Sequence, residues 1–196
     1  MINSRPQIIF IIGGPGVGKG TICKYLTSDF DNFASFSTGD ILRNVIKEKK
    51  FDGWAQLETD MKDGKLIKSE RVLFYLKEAI LSSNKKIILI DGYPRNKENI
   101  ETWDKIMNNF VDIKAVFFFD ASHDIMIKRI HGRKDGRDDD KYDDIIKKRI
   151  SIFEKETKPL IEIYNKRGNL IMIDCNNNFE LIYNDVKKAL KNLKLI

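Results

Sequence analysis

The feature that most restricts the fold of this chain is an apolar run, Ile8–Ile12, followed directly by the glycine-rich stretch GGPGVGKGT at Gly13–Thr21. A buried strand that passes through a glycine-rich turn into a helix presents a nest of backbone N–H groups that binds phosphate. The usual form of this loop is G-x-x-x-x-G-K-[ST]. The stretch contains both glycines and Lys19, but it has Gly20 in the hydroxyl position and Thr21 one residue later. The pattern predicts a nucleotide phosphate site and leaves open whether Gly20 is a defect or a variant.

Short β-branched or aromatic runs alternate along the chain with amphipathic helical segments. The predicted strands are Ile8–Ile12, Phe33–Phe36, Ile87–Ile90, Ala115–Phe119 and Leu170–Ile173. The predicted helices are Gly18–Ser28, Gly39–Lys49, Ser69–Leu81, Lys97–Asn108, His123–Ile130, Asp143–Lys166 and Phe179–Leu193. Runs as apolar as KIILI and AVFFF are typical of strands buried on both faces of a helix-covered parallel sheet. We therefore predict a doubly wound α/β fold with ligands at the carboxyl ends of its strands.

The composition predicts a single globular domain over residues 1–196, since 42% of the residues are hydrophobic and 33% are charged. The run Ile8–Ile12 is too short for a signal peptide, and a membrane span needs about 20 residues. We expect a soluble protein of the cytoplasm, or of the nucleus, without a membrane partner. Cys23 and Cys175 form no CxxC pair, so they are predicted to be buried free thiols.

The net charge of +6 does not by itself predict nucleic-acid binding, because the lysines are scattered over helical faces. A solvated surface accounts for them, so no nucleic-acid partner is expected. Only nine of the 35 basic residues are arginine, whose planar fork binds phosphate through two hydrogen bonds. The arginines are Arg5, Arg43, Arg71, Arg95, Arg129, Arg133, Arg137, Arg149 and Arg167.

Two stretches interrupt the alternation of strands and helices. Residues 38–68 hold two helical segments with no strand between them. Residues 131–141, HGRKDGRDDDK, are polar and contain glycines, which is typical of an exposed, mobile loop. Both stretches are predicted to be flaps that move around a site.

The segment ILIDGYPRN ends a predicted buried strand with a carboxylate, Asp91. An aspartate that leaves a strand beside a phosphate loop helps to order Mg²⁺ and its water, and the Thr21 hydroxyl is the second candidate contact. The alternative is that Asp91 only forms an Asx turn before the proline. A GTPase is a poor interpretation, because NKRG at Asn165–Gly168 lacks the aspartate of the guanine-reading motif.

Six short segments follow one another along the chain: GGPGVGKGT, STGDILR, GKLI, DGYPRN, GRDDD and KKRI. In this order and at this spacing they resemble the motifs of nucleoside monophosphate kinases, the adenylate kinase-like family. The resemblance covers essentially the whole chain. GKGT is this family's own phosphate loop, so Gly20 is no defect.

The resemblance implies a five-stranded parallel core, a monophosphate-binding flap at about residues 38–68 and a lid at about residues 131–141. It also implies a monomer that transfers the γ-phosphoryl group of ATP to a nucleoside monophosphate with the help of Mg²⁺. Such a transfer needs positioning and neutralised charge more than covalent catalysis.

Residue roles are carried over from the family motifs. The resemblance implies ATP contacts by Gly14, Pro15, Gly16, Val17, Gly18, Lys19, Gly20, Thr21, Arg129, Arg133 and Asn177. It implies monophosphate contacts by Thr38, Arg43, Lys65, Leu66, Ile67, Gly92, Tyr93, Pro94, Arg95, Asn99, Arg137 and Arg149. The catalytic set is Lys19, Arg95, Arg137 and Arg149. Mg²⁺ is expected near Thr21 and Asp91, through water.

Within the family, PRNKENIETWDK most resembles the UMP–CMP kinases, with Asn96, Asn99 and Trp103 in matching positions. The family uses the residue at Asn99 to read the acceptor base. An amide can accept from uracil N3–H or, after flipping, donate to cytosine N3. Adenine presents the same pattern as cytosine, so Asn99 alone does not exclude AMP. Trp103 is interpreted as a core residue rather than a ligand contact.

Three departures from the family pattern keep alternatives open. Thr38 resembles adenylate kinases, which leaves AMP as a possible acceptor. His131 falls where a lid arginine is expected, and Arg133 is the candidate substitute. One extra residue before Arg149 leaves open which of three consecutive aspartates correspond to the family's pair: Asp138, Asp139 and Asp140.

The sequence therefore predicts an ATP-dependent kinase for UMP and CMP, with dCMP as a further acceptor. The alternatives are an adenylate kinase, or a nucleotide- or RNA-binding protein without kinase activity. The complete set of phosphate-binding cations argues against loss of activity.

Overall fold

A computed structural model of the protein describes residues 5–49, 52–133, 140 and 142–196. Five strands form one parallel sheet in the order β2-β3-β1-β4-β5. The strands are β1 (Gln7–Gly13), β2 (Phe33–Ser37), β3 (Ile87–Asp91), β4 (Asp112–Asp120) and β5 (Leu170–Asp174). The predicted fold class and all the predicted strands are confirmed.

Nine α-helices within the described residues surround this sheet. They are α1 (Lys19–Asp29), α2 (Thr38–Lys47), α3 (Trp54–Lys62), α4 (Ser69–Ser82), α5 (Lys97–Ile106), α6 (His123–His131), α7 (Asp143–Ile152), α8 (Leu160–Lys166) and α9 (Phe179–Asn192). The described part of residues 38–68, which leaves out positions 50 and 51, contains two helices and no strand, as predicted. None of the helices in the described part of the chain is long and apolar enough to cross a membrane.

The central strand β1 carries the hydrophobic core, because its run from Ile8 to Ile12 is at most 1% exposed. Burial on both faces explains why this strand is apolar throughout rather than alternating. Phe10 packs edge-on against Trp103 of α5, with 4.8 Å between the ring centroids. Trp103 is 1% exposed, which confirms its interpretation as a core residue.

The single helix predicted over Asp143–Lys166 is wrong. The structure has α7, then a π-helical turn at Phe153–Thr157, then α8. The wider turn is closed by a hydrogen bond from the Lys158 N–H to the Phe153 carbonyl oxygen, 2.9 Å long. Pro159 follows, and a proline has no N–H with which to continue a helical ladder.

The carboxyl ends of three neighbouring strands meet at one edge of the sheet. Asp91, the last residue of β3, lies in register with Ile11 of β1 and with Ser37 of β2. The loops that follow β1, β2 and β3 therefore converge, and this edge is the ligand-binding edge expected of a parallel α/β sheet.

Candidate active site

The loop between β1 and α1 packs closely against α6. Gly16 has φ +78°, and a Cβ atom built on it would lie 2.4 Å from the carbonyl oxygen of Met126. Gly18, with φ +102°, precedes the first residue of α1 and has no side chain to cap the helix. The first backbone N–H groups of α1 thus face outward at the positive end of the helix, which is the arrangement that binds phosphate.

Lys19 extends from this helix end into the site. Its ammonium group donates hydrogen bonds to the carbonyl oxygens of Gly13 and Gly14, at 3.0 and 2.8 Å. Burial lowers the pKa of Lys19 to about 8; the nearby Asp91 opposes this shift, and Arg95 reinforces it. A phosphate group at this position would stabilise the protonated form and raise the pKa.

The Asp91 carboxylate faces the start of α1, since its Oδ2 atom lies 3.5 Å from where a Cβ on Gly20 would stand. Thr21, in the first turn of the helix, lines the same cavity. No group of three or more His, Cys, Asp or Glu side chains among the described residues could hold a metal ion. One carboxylate and one hydroxyl fit a Mg²⁺ ion that keeps water and takes its remaining ligands from substrate phosphates.

A cavity of about 520 Å³ lies at this edge of the sheet, between the phosphate loop, α2 and the segment that joins α3 to α4. Eighteen of the residues predicted for the site line it: Pro15, Gly16, Gly18, Lys19, Gly20, Thr21, Thr38, Arg43, Lys65, Leu66, Ile67, Asp91, Gly92, Tyr93, Arg95, Asn99, Arg133 and Arg149. The tertiary structure thus brings together cations that are spread over 131 positions of the chain, from Lys19 to Arg149 (149 − 19 + 1).

Five predicted residues have other positions. Gly14 and Val17 are buried members of the loop, and Pro94 lines a smaller cavity of about 90 Å³. The Arg129 guanidinium donates to the carbonyl oxygens of Cys175 and Asn177, at 2.8 and 2.9 Å. Arg129 and Asn177 are therefore brought together, but neither lines the main cavity.

On the flap side, Arg43 and Lys65 are both held by carboxylates. Arg43 Nη2 lies 2.5 Å from Asp40 Oδ1 one helical turn earlier. Lys65 forms ion pairs with Asp60 and Asp63, at 3.2 and 3.0 Å. These pairs hold the two cations beside the cavity.

Arg133 and Arg149 share one carboxylate. Asp140, with a side chain only 7% exposed, accepts from Arg133 Nη1 at 2.6 Å and from Arg149 Nη1 at 2.5 Å. His131 instead pairs with Asp143 at 2.9 Å and does not line the cavity.

Some of the expectations for the lid lie outside the described residues. These are the position of Arg137 and the roles of Asp138 and Asp139. Asp140 is the member of the aspartate run that the structure describes.

Arg95 is fixed at three points. Its Nε atom donates to the Gly92 carbonyl oxygen at 2.8 Å, and its backbone N–H donates to Asn99 Oδ1 at 2.9 Å. Its carbonyl oxygen accepts from the Thr157 hydroxyl at 2.6 Å. Sequence reasoning missed Thr157, and no local pattern could have found it, because it reaches Arg95 from the π-helical turn.

The Asn99 side chain lies at the cavity wall, is only 5% exposed and is held on both sides. Its Oδ1 atom accepts from the Arg95 N–H, and its Nδ2 atom donates to the Ser69 hydroxyl at 2.5 Å. A flipped amide would place its NH₂ group against the Arg95 N–H, so this arrangement opposes the flip that the sequence interpretation allowed. Ser69 is the second site residue that sequence reasoning missed.

Comparison with known proteins agrees with this site. The adenylate kinase family model matches residues 11–169. The chain is 39% identical to UMP-CMP kinase 2 of Oryza sativa subsp. japonica over 191 residues, which cover 97% of this chain and 76% of the relative. It is 32% identical to UMP-CMP kinase of Xenopus laevis over 190 residues, covering 93% of this chain and 97% of the relative. It is 33% identical to UMP-CMP kinase of Danio rerio over 194 residues, covering 95% and 98%.

Proposed function

The chain belongs to the adenylate kinase family, and from that premise we propose that it transfers the γ-phosphoryl group of ATP to UMP or CMP, and also to dCMP. The oxygen of the acceptor's 5′-phosphate forms the new bond to the γ-phosphorus. The bond from that phosphorus to the β-phosphate oxygen breaks, and ADP leaves. The products are ADP and a nucleoside diphosphate.

The observation that carries this proposal is the convergence of cations from separate segments of the chain on one cavity. Five of these cations are assigned to phosphate groups: Lys19, Arg43, Arg95, Arg133 and Arg149. Phosphoryl transfer spreads negative charge over the equatorial oxygens of the moving group, and enzymes accelerate it by positioning and by fixed positive charge. A protein that only bound a nucleotide would not need cations from so many separate segments.

The cations divide by position. Lys19 leaves the phosphate loop and is assigned to the β- and γ-phosphates of ATP. Arg43 and Arg95 line the side formed by α2 and the segment after β3, and we assign them to the α-phosphate of the acceptor. Arg149 and Arg133, which share the Asp140 carboxylate, also line the cavity and are assigned to the transferred group. Arg137 is also assigned to the transferred group, because its motif, GRDDD, implies that role.

Asp91 and Thr21 are the residues that would hold Mg²⁺, through water, beside the phosphate loop. Mg²⁺ held there would neutralise part of the charge of the substrate phosphates. The chain's own contribution is to place one carboxylate at the end of β3 and one hydroxyl in the first turn of α1.

Five further assignments are proposals of the same kind. The chain is proposed to act as one domain and as a monomer in the cytoplasm. Residues 38–68, which hold α2 and α3, are proposed to form the monophosphate-binding flap. Residues 131–141 are proposed to form the lid.

An adenylate kinase is the second candidate, and Thr38 is the observation that favours it. The Thr38 side chain is buried, and its hydroxyl lies 3.2 Å from the Asp91 carbonyl oxygen and 3.1 Å from that of Gly92. The hydrogen of this hydroxyl is used by the backbone, so Thr38 can only accept from a base, and this does not distinguish the amino group of adenine from that of cytosine. The names of the relatives favour a pyrimidine acceptor.

The experiment that tests the proposal is one coupled assay of ADP production with UMP, CMP, dCMP, AMP and GMP as acceptors. We expect UMP and CMP to exceed AMP by at least about tenfold in kcat/KM, because a site that hydrogen-bonds its substrate discriminates strongly. GMP is expected to be poor because of its size and 2-amino group. AMP as the best acceptor would overturn the pyrimidine assignment and leave the kinase class standing.

A further inference from the structure

The buried polar side chains of the described residues gather near the acceptor side of the cavity. Four such residues are buried: Thr38, Ser69, Asn99 and Thr157. Polar groups are buried at a cost unless they are hydrogen-bonded, so each of these is expected to have a specific partner. Ser69 is 1% exposed, does not line the cavity itself, and has the Asn99 amide as its partner.

The direction of the Asn99 amide follows from Arg95. The backbone N–H of Arg95 can only donate, so the atom that faces it at 2.9 Å must be the amide oxygen. The amide nitrogen then faces Ser69, whose oxygen accepts one of its two N–H groups. Among the described residues nothing else accepts from this nitrogen, and Asn99 lines the cavity. The side chain therefore offers an N–H donor to a bound base.

Thr38 offers the complementary group. Its hydroxyl hydrogen is used by the backbone carbonyl oxygens of Asp91 and Gly92. A hydroxyl whose hydrogen is occupied can only accept from a ligand. Thr38 lines the cavity together with the apolar side chains of Leu42 and Val72. The cavity thus combines one donor, one acceptor and an apolar wall.

We propose that Ser69 is a specificity-determining residue: together with the Arg95 N–H it holds the Asn99 amide as a donor, so that the enzyme prefers cytidine monophosphates to UMP. Cytosine matches the donor with its N3 lone pair and the acceptor with its 4-amino group. Uracil presents N3–H and O4 at the same positions. Its N3–H would face the Asn99 donor, and its O4 would face the Thr38 acceptor, so neither could form a hydrogen bond. The inference rests on the proposed function, since it concerns the choice among pyrimidine acceptors.

The test measures kcat/KM for CMP, dCMP, UMP and AMP at pH 8 with the wild-type protein and three variants. We expect wild-type kcat/KM to favour CMP over UMP by about tenfold or more, because a mispaired buried polar group is costly. In Asn99→Asp the carboxylate still accepts from the Arg95 N–H and from the Ser69 hydroxyl, but the donor is gone. This variant should lose CMP activity and reverse the preference.

Ser69→Ala removes the partner that holds the amide nitrogen and leaves the Arg95 N–H as the remaining restraint on the amide, so the CMP-to-UMP ratio should fall. Thr157→Ala is the matched control, because Thr157 holds the Arg95 carbonyl and not the amide. It should raise KM for CMP and UMP by the same factor and leave the ratio unchanged. Dissociation constants for CMP and UMP, measured by titration calorimetry, provide the same ratio for a variant that binds but turns over slowly.

The outcomes separate the two proposals. If the wild-type protein turns over both pyrimidines with a kcat/KM for UMP equal to or above that for CMP, this result overturns the inference and leaves the proposed function standing. An Asn99→Asp variant that loses CMP and UMP activity by the same factor also overturns it. Activity on AMP without activity on either pyrimidine overturns the proposed function, and the inference with it.

Discussion

Arg149 is held by a nearly buried carboxylate: its Nη1 atom lies 2.5 Å from Oδ1 of Asp140, whose side chain is 7% exposed. The other oxygen of the same carboxylate accepts from Arg133. Two guanidinium groups that repel each other are thus held side by side at the cavity. Their shared partner offsets part of this repulsion.

Replacing Asp140 by asparagine should disrupt this pair. The amide has one oxygen and no charge, so it cannot serve both guanidinium groups. Hydrogen bonds to charged groups contribute about 1.5–3 kcal/mol, so kcat/KM should fall about 10- to 100-fold. Steady-state assays with UMP and CMP measure the loss. Asp144→Asn, at an exposed position of α7, is the control; equal activity of the two variants would contradict the role of Asp140.

Replacing Lys19 by methionine should nearly abolish turnover and leave the fold intact. Lys19 is the cation that the phosphate loop itself carries into the site, and a contact of this kind to the transition state contributes about 10²–10³ in rate. Turnover and circular dichroism together check both parts. Lys188→Met, an exposed change on α9, is the control. Near-normal activity of Lys19→Met would show that the loop is wrongly assigned.

Arg133→Ala should cost much more turnover than His131→Ala. Arg133 lines the cavity and contacts Asp140, whereas His131 is half exposed and pairs with Asp143 at the surface. An exposed ion pair contributes at most about 1 kcal/mol, so His131→Ala should change kcat/KM less than about fivefold. The Arg133 variant should lose at least about tenfold. The opposite order would mean that His131 supplies the phosphate contact.

Gly16→Ala should destroy ATP binding, whereas Gly168→Ala should be tolerated. Both glycines have nearly the same backbone conformation, φ +78° and +74°, so both variants carry the strain of a left-handed residue, about 1–2 kcal/mol. At Gly16 the new Cβ would also lie 2.4 Å from the Met126 carbonyl oxygen, while nothing lies within 4 Å at Gly168. Melting temperature and KM for ATP measure the difference. Equal effects would indicate that the loop can move away from α6.

Neither cysteine should react with thiol reagents in the folded protein. Cys23 is 3% exposed and Cys175 is 0% exposed. Burial raises the pKa of Cys175 to about 12 and also raises that of Cys23, so the reactive thiolate is scarce at pH 8. A colorimetric thiol titration should detect no free thiol before unfolding and two after it in guanidinium. Rapid modification of the native protein would contradict the described burial.

The strands and the phosphate loop could be predicted from the sequence because their signals are local. An uninterrupted apolar run such as Ile8–Ile12 is typical of a parallel strand that is buried on both faces. Each predicted strand begins and ends within a few residues of its bounds in the structure. The positions of Lys19, Arg43, Arg95 and Arg149 on one cavity followed from motif order. The single helix predicted over Asp143–Lys166 was wrong, because the π-helical turn that interrupts it leaves no clear periodic signal in the sequence.

What the sequence by itself determined is which groups this site contains; what the tertiary structure decided is how they are held. Asn99 was visible in the sequence as an amide able to accept or donate. Its orientation depends on the Arg95 N–H and on Ser69, which is 30 positions away, and Arg95 is held in turn by Thr157, which is 62 positions away. A hydrogen bond selects a donor or an acceptor only when both partners are in place, and contacts across such separations form only when the chain has folded.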